Sequence, residues 1–391
     1  MHILKVQDGY SEREFFRFPD RLYQSNEYWI RPVEQEIRRI FQPEENTFLQ
    51  HGDMSRWILQ NYRGATIGRI AAFVDRGEGD TPGCPKGSLG FFECIDHQQA
   101  ATRLLEEGML WLQNQQVSVL SAPTNPTSLF LKSGLLTHGF DHSPVYGSNY
   151  HPAYYQGLFE SFGFQKHFRQ QTYRRALSAL ALPASMQQKA KAVLEDAEYK
   201  ILPFCKEKLD QMVHDIALIY KEAWQQHPSY HVLSDGQIRT ELEELLPWID
   251  ENIFVIAYYQ DRPIGFFFNL PDINQARKQV GDGLFRKIRE AYFRKSKHKN
   301  LLSVLLGVVP AFQKKGVGSA LIESVLSFLQ VHNDVYDMIE TSRVSDDNTA
   351  MQYLLKQLDG KSHHHYWVYR KQLPVCPVEP VISENGQAVL K

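Results

Sequence analysis

The chain repeats itself, and the repeat sets the architecture. Trp57–Asp75 (WILQNYRGATIGRIAAFVD) reads as two apolar strands around an Arg63-Gly64 turn. Ile253–Leu270 (IFVIAYYQDRPIGFFFNL) has the same form, turning at Asp261-Arg262-Pro263. Aligning Ile67-Gly68 on Ile264-Gly265 sets an offset of 197 residues (264 less 67). Further along, Tyr155–Phe164 (YQGLFESFGF) is a short helix stopped by Gly163, and Met351–Gly360 (MQYLLKQLDG) matches it at an offset of 196 (354 less 158). Two separate anchors within one residue of each other point to a duplicated domain.

A chain of 391 residues exceeds what one core comfortably holds, so the repeat and the length agree. The Ala-rich stretch Ala176–Glu198, helical in its second part, reads as the connection. The expected division is an N-terminal domain over residues 1–177, a linker helix over 178–198 and a C-terminal domain over 199–391. Each half shows an early helix, a hairpin, a strand leading into a helix, another strand, a short helix and a last strand. That order describes a layered α/β domain. In the second half the elements fall at Lys206–Gln226, Ile253–Leu270, Leu301–Val309, Gly316–Gln330, Val335–Thr341, Thr349–Leu358 and His364–Lys371.

A formal net charge of −2 gives no field that would draw the whole chain to nucleic acid or an anionic membrane. The N-terminus has no basic segment followed by an apolar one, and the longest apolar run, Leu301–Phe312, is too short to span a bilayer. Cys84, Cys94, Cys205 and Cys376 form no CxxC pair and have no His at zinc-finger spacing, so free thiols in a cytoplasmic protein are expected. The aromatic content of 12% supplies large cores or apolar ligand grooves, and composition does not separate the two.

Leu301–Leu329 (LLSVLLGVVPAFQKKGVGSALIESVLSFL) carries the chemistry. An apolar strand runs into QKKGVG and then into an amphipathic helix. A helix start with exposed backbone N–H groups is a phosphate site. Gly316 and Gly318 remove Cβ atoms that would hold a pyrophosphate away, while Lys314 and Lys315 add positive charge. The string is weak alone; it gains weight from the strand before it, the helix after it, and Asp347-Asn348-Thr349-Ala350, a second helix start with capping chemistry.

VVPAFQKKGVGSAL followed by DNTAMQYLLKQLDG resembles the acetyl-CoA-binding core of the GNAT (GCN5-related N-acetyltransferase) superfamily over most of Tyr199–Leu373. The N-terminal half resembles the same fold at its hairpin and at YYQGLFESFGF. GFFECID, PDINQARK and the two halves together resemble a bacterial tandem-GNAT group. The resemblance implies an α/β (α+β) fold of two tandem GNAT-like domains, each a mixed, mostly antiparallel sheet flanked by helices. It implies acetyl-CoA, or another acyl-CoA, as ligand. Gln313, Lys314, Lys315, Gly316, Val317 and Gly318 would form the pyrophosphate loop, with Ser319 next on the helix. Val308 and Val309 would offer backbone groups to the pantetheine arm and the thioester carbonyl, and Asn348 would stand near the cofactor.

The sequence also departs from the family. Where many members carry a Tyr that protonates the departing thiolate, this chain has Leu355; Tyr353 lies about 200° around the helix from it. Phe159 is the equivalent in the N-terminal half, where IDHQQA replaces the glycine loop. One acyl-CoA site, in the C-terminal half, is therefore expected, with the N-terminal half as lid or wall.

Four further features are weighed. Glu340, ending a strand, could be the general base for a substrate amine or a solvated group. Glu93 could line a cleft between the halves. His363-His364-His365 sits in a strand, where alternation would put only His363 and His365 on one face, so a rim role is expected rather than a metal site. The basic run Leu284–Asn300 reads as an amphipathic helix with a solvated face. Together these readings describe an N-acyltransferase moving acetyl from acetyl-CoA to the amine of a small molecule in a ternary complex, with no nucleic acid or membrane partner. The alternatives are a donor with a longer acyl group, an aminoacyl-tRNA donor, and an acyl-CoA-binding protein without catalysis.

Overall fold

Each half of the chain finishes the other's sheet. The computed structural model describes residues 1–76, 85–126, 132–179, 181–225, 233–280, 299–331, 336–374, 381–382 and 388–389. The basic run Leu284–Asn300, apart from its last two residues, and Cys84 and Cys376 lie outside them. The N-terminal half contributes β1 (His2–Lys5), β2 (Gly52–Gln60), β3 (Thr66–Asp75), β4 (Lys86–Cys94), β5 (Val119–Ala122), the small ribbon β6 (Thr124–Asn125) and β7 (Lys132–Ser133), β8 (Leu135–His138) and β9 (Gln165–Ala176). The C-terminal half contributes β10 (Tyr199–Pro203), β11 (Val255–Tyr259), β12 (Arg262–Pro271), β13 (Lys299–Val308), β14 (Tyr336–Thr341), β15 (Val344–Ser345) and β16 (Lys361–Gln372). Helices are α1 (Gly9–Leu22), α2 (Glu34–Ile40), α3 (Gln98–Asn114), α4 (Tyr155–Ser161), α5 (Ala184–Leu194), α6 (Leu209–Trp224), α7 (Asp235–Leu245), α8 (Ile273–Val280), α9 (Val317–Val331) and α10 (Thr349–Gln357).

The main sheet runs β1-β2-β3-β4-β5-β16-β9-β14-β13-β12-β11-β10. Thus β16, from the end of the C-terminal half, pairs antiparallel with β5 of the N-terminal half from Tyr369 opposite Ala122 to Gln372 opposite Val119. In turn β9, from the N-terminal half, pairs antiparallel with β14 from Arg174 opposite Glu340 to Ala176 opposite Met338. The two exchanged strands lie side by side, Lys361 facing Arg174 at one end and Arg370 facing Gln165 at the other. The chemistry of β16 suits a central strand: buried His364, Tyr366 and Val368 alternate with half-buried His363, His365 and Trp367. Its Tyr369 and the following Leu373 enter the N-terminal core beside Phe159 and Phe164.

Within each half the sheet splits. Parallel pairing of β13 with β14 begins at Lys299 opposite Tyr336 and stops at Ser303 opposite Thr341. Ser342 holds the point of divergence, its N–H on Ser303 O at 2.7 Å and its hydroxyl on Val304 O at 2.7 Å. Beyond it β13 continues against β12 alone, after a bulge in which Leu305 faces Phe268 and Ser303 faces Asn269, leaving Val304 without an opposite. The N-terminal half repeats this: β4 meets β5 only at Gly87–Leu120 and Ser88–Ser121, and its bulge holds Phe91 at a φ of 49°. One long helix crosses each hairpin and strand, α3 in the first half and α9 in the second, and α9 also packs on α5.

Because β16 supplies large apolar side chains to the N-terminal core, each worth about 1.5–3 kcal/mol on burial, residues 1–177 alone should lack a cooperative thermal transition. Co-expressed with residues 178–391 they should copurify as a folded pair. Circular dichroism melts and size-exclusion chromatography of the split chains check this; a cooperative melt of 1–177 alone would contradict it.

Candidate active site

The candidate cofactor loop is built as strand, turn and helix. After β13, Pro310–Phe312 make one 3-10 turn, Lys314 takes a φ of 62° and Gly316 a φ of 96°, and α9 begins at Val317. Gln313, Lys314, Lys315, Gly316, Val317, Gly318 and Ser319 form one continuous rim around the start of that helix, with Lys314 and Lys315 exposed. Lys315 Nζ lies 5.1 Å from the Phe312 ring centre, and Gln313 Nε2 donates to Val308 O at 3.0 Å.

The two glycines serve different needs, which corrects the expectation that both make room for a pyrophosphate. A Cβ at Gly316 would come 2.6 Å from the backbone oxygen of Lys189 in α5, so this glycine is required by the protein's own packing and by its positive φ. A Cβ at Gly318 would meet nothing closer than Val308 Cγ2 at 3.9 Å, so the space in front of it is open to a ligand.

At the sheet divergence the backbone supplies donors. Val309 N–H donates to Ile264 O at 2.9 Å, so it is engaged, contrary to the expectation that it faces the thioester. Antiparallel alternation then turns the N–H groups of Val308 and Leu306 away from β12 and into the opening between β13 and β14. Two such donors suit a thioester oxygen and a pantetheine amide. Leu306 was not anticipated, because a backbone donor leaves no mark in a side-chain pattern.

On the α9 and α10 face of the divergence lies a small apolar cavity of about 60 Å³, lined by side chains including Ile322, Val325, Leu326, Leu329, Leu354 and Leu355. Leu355 thus lines the cavity where a phenol would stand in many relatives. Tyr353 is 66% exposed, and its hydroxyl accepts from Gln357 Nε2 at 2.9 Å. Asn348 caps α10, its Oδ1 accepting the Met351 N–H at 3.0 Å, which leaves its amide N–H groups for a ligand.

Glu340 faces the other side of the sheet, since its neighbours Ile339 and Thr341 line the cavity. It is 4% exposed and its Oε1 accepts the Thr172 hydroxyl at 2.7 Å, with His363 Nδ1 and His364 Nδ1 each at 3.1 Å. Burial alone would raise this carboxyl, but the bonds from the two imidazoles outweigh it and hold the pKa down to about 2. A carboxylate so saturated is a poor proton acceptor, which removes the direct general-base role considered for it. The histidine faces also need correcting: a bulge at His363-His364 breaks strand alternation, so His363 shares a side with His364 rather than with His365.

The N-terminal half carries the same framework with its openings closed. The start of α3 is capped by His97, whose Nδ1 accepts the Ala100 N–H at 3.2 Å. By register Cys94 is the counterpart of Val308, facing Gly68 as Val308 faces Gly265. Its N–H donates to the Tyr155 hydroxyl at 2.8 Å and its carbonyl accepts the Tyr154 hydroxyl at 2.7 Å. Tyr155 and Tyr23 in turn donate to Glu93 Oε2 at 2.8 and 2.7 Å, with Arg69 at 3.7 Å from the other oxygen. Burial raises the Glu93 carboxyl despite that arginine, and burial with the nearby Glu93 pushes the Cys94 thiol up to about 12. Glu93 and Arg69 line a cleft of about 100 Å³ that reaches Asn274 and Arg277 of the C-terminal half.

Comparison with known proteins agrees with this architecture. The model of the Acetyltransferase (GNAT) family matches residues 211–360. Protein YghO of Escherichia coli (strain K12) is 22% identical over 371 residues, covering 92% of this chain and 93% of that one. The bacterial ceramide synthase of Caulobacter vibrioides is 23% identical over 382 residues, covering 95% and 98%. A tandem GNAT protein from the clavulanic acid biosynthesis pathway, solved without acetyl-CoA, superposes with a TM-score of 0.55 at 9% identity over 97% of this chain and 99% of that one. Residues 211–360 thus match a GNAT domain, and the chain as a whole has the fold of a tandem GNAT protein.

Gly318→Asp should place a like charge against the pyrophosphate, a cost of several kcal/mol, and weaken CoA binding by more than about 100-fold with an unchanged melting temperature. Gly316→Asp should instead lower stability itself, by at least the ~1–3 kcal/mol of a strained backbone. Calorimetric titration and thermal melts of both variants separate the two roles. Titration of the unaltered chain should saturate at a single CoA. Tyr155→Phe, which leaves Cys94 N–H and Glu93 each short of a buried partner, should cost about 1–3 kcal/mol in a denaturant melt and leave that stoichiometry alone.

Proposed function

We propose that this protein is an acyl-CoA-dependent N-acyltransferase whose donor is a long-chain acyl-CoA and whose acceptor is the amine of a small molecule. One observation carries the reading: the apolar cavity at the β13–β14 divergence. Its lining is apolar almost throughout, more than the single methyl of an acetyl group, the donor expected from the family resemblance, would cover. An acyl chain entering there would bury methylene groups worth about 0.8 kcal/mol each. The similarity to a ceramide synthase supports the same reading, since a ceramide is an N-acylated long-chain amine.

In this reading Gly318 and the first N–H groups of α9 hold the pyrophosphate, and Lys314 and Lys315 add charge to its approach. The Leu306 or Val308 N–H takes the negative charge that develops on the thioester oxygen. The amine nitrogen attacks the thioester carbon from the Glu340 face; the C–N bond forms, the C–S bond breaks, and the ammonium proton passes to solvent. The CoA sulfur leaves as a thiolate or takes a proton from water, for which a thiol pKa of about 8.5 is low enough. No phenol assists it, because Leu355 stands at that place and Tyr353 points to solvent. Tyr353→Phe is therefore neutral. Free Cys94 and Cys205, and the cellular acyl-CoA pool, fit a cytoplasmic setting. No helix among the described residues is long and apolar enough to cross a membrane.

Calorimetric titration with CoA thioesters from acetyl to palmitoyl tests the donor. Affinity should rise at least about 100-fold along the series, and Leu326→Trp, which fills the cavity, should abolish the gain while sparing acetyl-CoA. Equal affinity for acetyl- and palmitoyl-CoA would refute the long-chain donor. Release of CoA with a panel of long- and short-chain amines, followed by a thiol reagent, tests turnover; tight binding with no release would reduce the protein to an acyl-CoA-binding module.

A further inference from the structure

Where the two halves exchange strands, β16 bulges. Ser362 faces Tyr173 and His365 faces Gln171, so His363 and His364 together stand opposite Thr172. The Nδ1 atoms of both imidazoles lie 3.1 Å from Glu340 Oε1. Thr172 Oγ1 is 2.7 Å from the same oxygen and 3.4 Å from His364 Nδ1. His364 is fully buried and Glu340 is 4% exposed, so water does not explain the convergence.

Neither neutral tautomer of His364 satisfies both of its neighbours. His364 Nε2 lies 3.4 Å from the carbonyl oxygen of His142. A neutral imidazole carries one proton. On Nε2 that proton satisfies His142 and leaves the Nδ1 lone pair against a carboxylate. On Nδ1 it satisfies Glu340 and leaves the Nε2 lone pair against a carbonyl. For His363, Nε2 is buried with no hydrogen-bond partner among the described residues, so its polar contact is made through Nδ1.

A cation bound by one carboxylate oxygen and two Nδ1 atoms resolves the conflict. Both imidazoles then coordinate as neutral ligands, and His364 Nε2–H donates to the His142 carbonyl, as the outer nitrogen of a metal-bound histidine does. Bonds of about 2.0–2.2 Å in a tetrahedral site place ligand atoms roughly 3.3 Å apart, close to the 3.1 Å from each Nδ1 to Glu340 Oε1, and all three atoms lie within 4.8 Å of one another. Two imidazoles with one carboxylate suit Zn²⁺ or a similar borderline divalent ion, not Mg²⁺ or Ca²⁺. We propose that Glu340, His363 and His364 form a zinc site, with Thr172 beside its fourth position, that ties β14 to the exchanged strands β9 and β16. With His364 and Glu340 so deeply covered, the ion is structural: it pins the two halves where they share strands.

The test uses full-length protein purified without a histidine tag or chelator. Inductively coupled plasma mass spectrometry should find a single zinc per chain. Protein stripped with EDTA should rebind Zn²⁺ stoichiometrically with a rise in melting temperature, and should take up Co²⁺ with the intense visible absorption of a tetrahedral site. His364→Ala and Glu340→Gln should weaken binding by more than about 100-fold; His363→Gln, a milder change at a half-buried position, should do so in a chain that still folds. His365→Ala should keep the metal. A folded protein that holds no zinc and takes up neither ion overturns the proposal, and so does zinc binding that survives His363→Gln. Nitrogen-15 shifts showing His364 still protonated on both nitrogens in zinc-saturated protein would overturn it too, identifying a buried imidazolium–carboxylate pair instead.

Discussion

The antiparallel pairing of β9 with β16 is the interaction on which the rest of the molecule rests. Each strand is the last that its own half adds to the main sheet and an interior strand beside the other half's, so neither half has a complete sheet without it. Interior strands need partners for N–H and C=O groups on both edges. Removing either one would expose a row of unpaired backbone and open an apolar core at the same time. The two domains are separate in sequence and inseparable in the sheet.

That shared centre carries two halves of unequal chemistry. Both keep the bulge, the divergence of the two parallel strands and the long helix. In the C-terminal half the divergence leads to an apolar cavity and the helix start is bordered by glycine and lysine. In the N-terminal half the corresponding groups are engaged by the protein itself: His97 at the helix start, Tyr155 and Tyr154 on the backbone of Cys94. A buried N–H without a partner costs about 1–3 kcal/mol. Side chains of the N-terminal half meet that cost here, and Tyr155 does so while also donating to the buried Glu93.

Much of this was legible in the sequence, and the reasons are physical. The hairpins and helices show through their apolar periods, the duplication through two offsets that agree, and the cofactor loop through glycines between a strand and a helix. What could not be read is what depends on partners. Period-two alternation says that β16 is a strand but not that it lies between β5 and β9. The roles of Gly316 and Gly318 separate only when Lys189 is seen against the first. Leu306 acts through its backbone, which every residue type shares. The histidine triplet was assigned to the wrong faces because a bulge depends on the neighbouring strand, and Glu340 changed role once Thr172 and two imidazoles were found around it.

The exchange also bears on how the chain is made. About 185 residues separate the end of β9 from the start of β16. At roughly 5–20 residues per second a ribosome takes on the order of ten to forty seconds to add them. Throughout that interval the N-terminal half is out of the tunnel with one edge of β5 bare and its core missing Tyr369. Vectorial synthesis cannot finish the first domain first; both must close together when the final strand arrives. Until then the nascent chain presents the bare edge of β5.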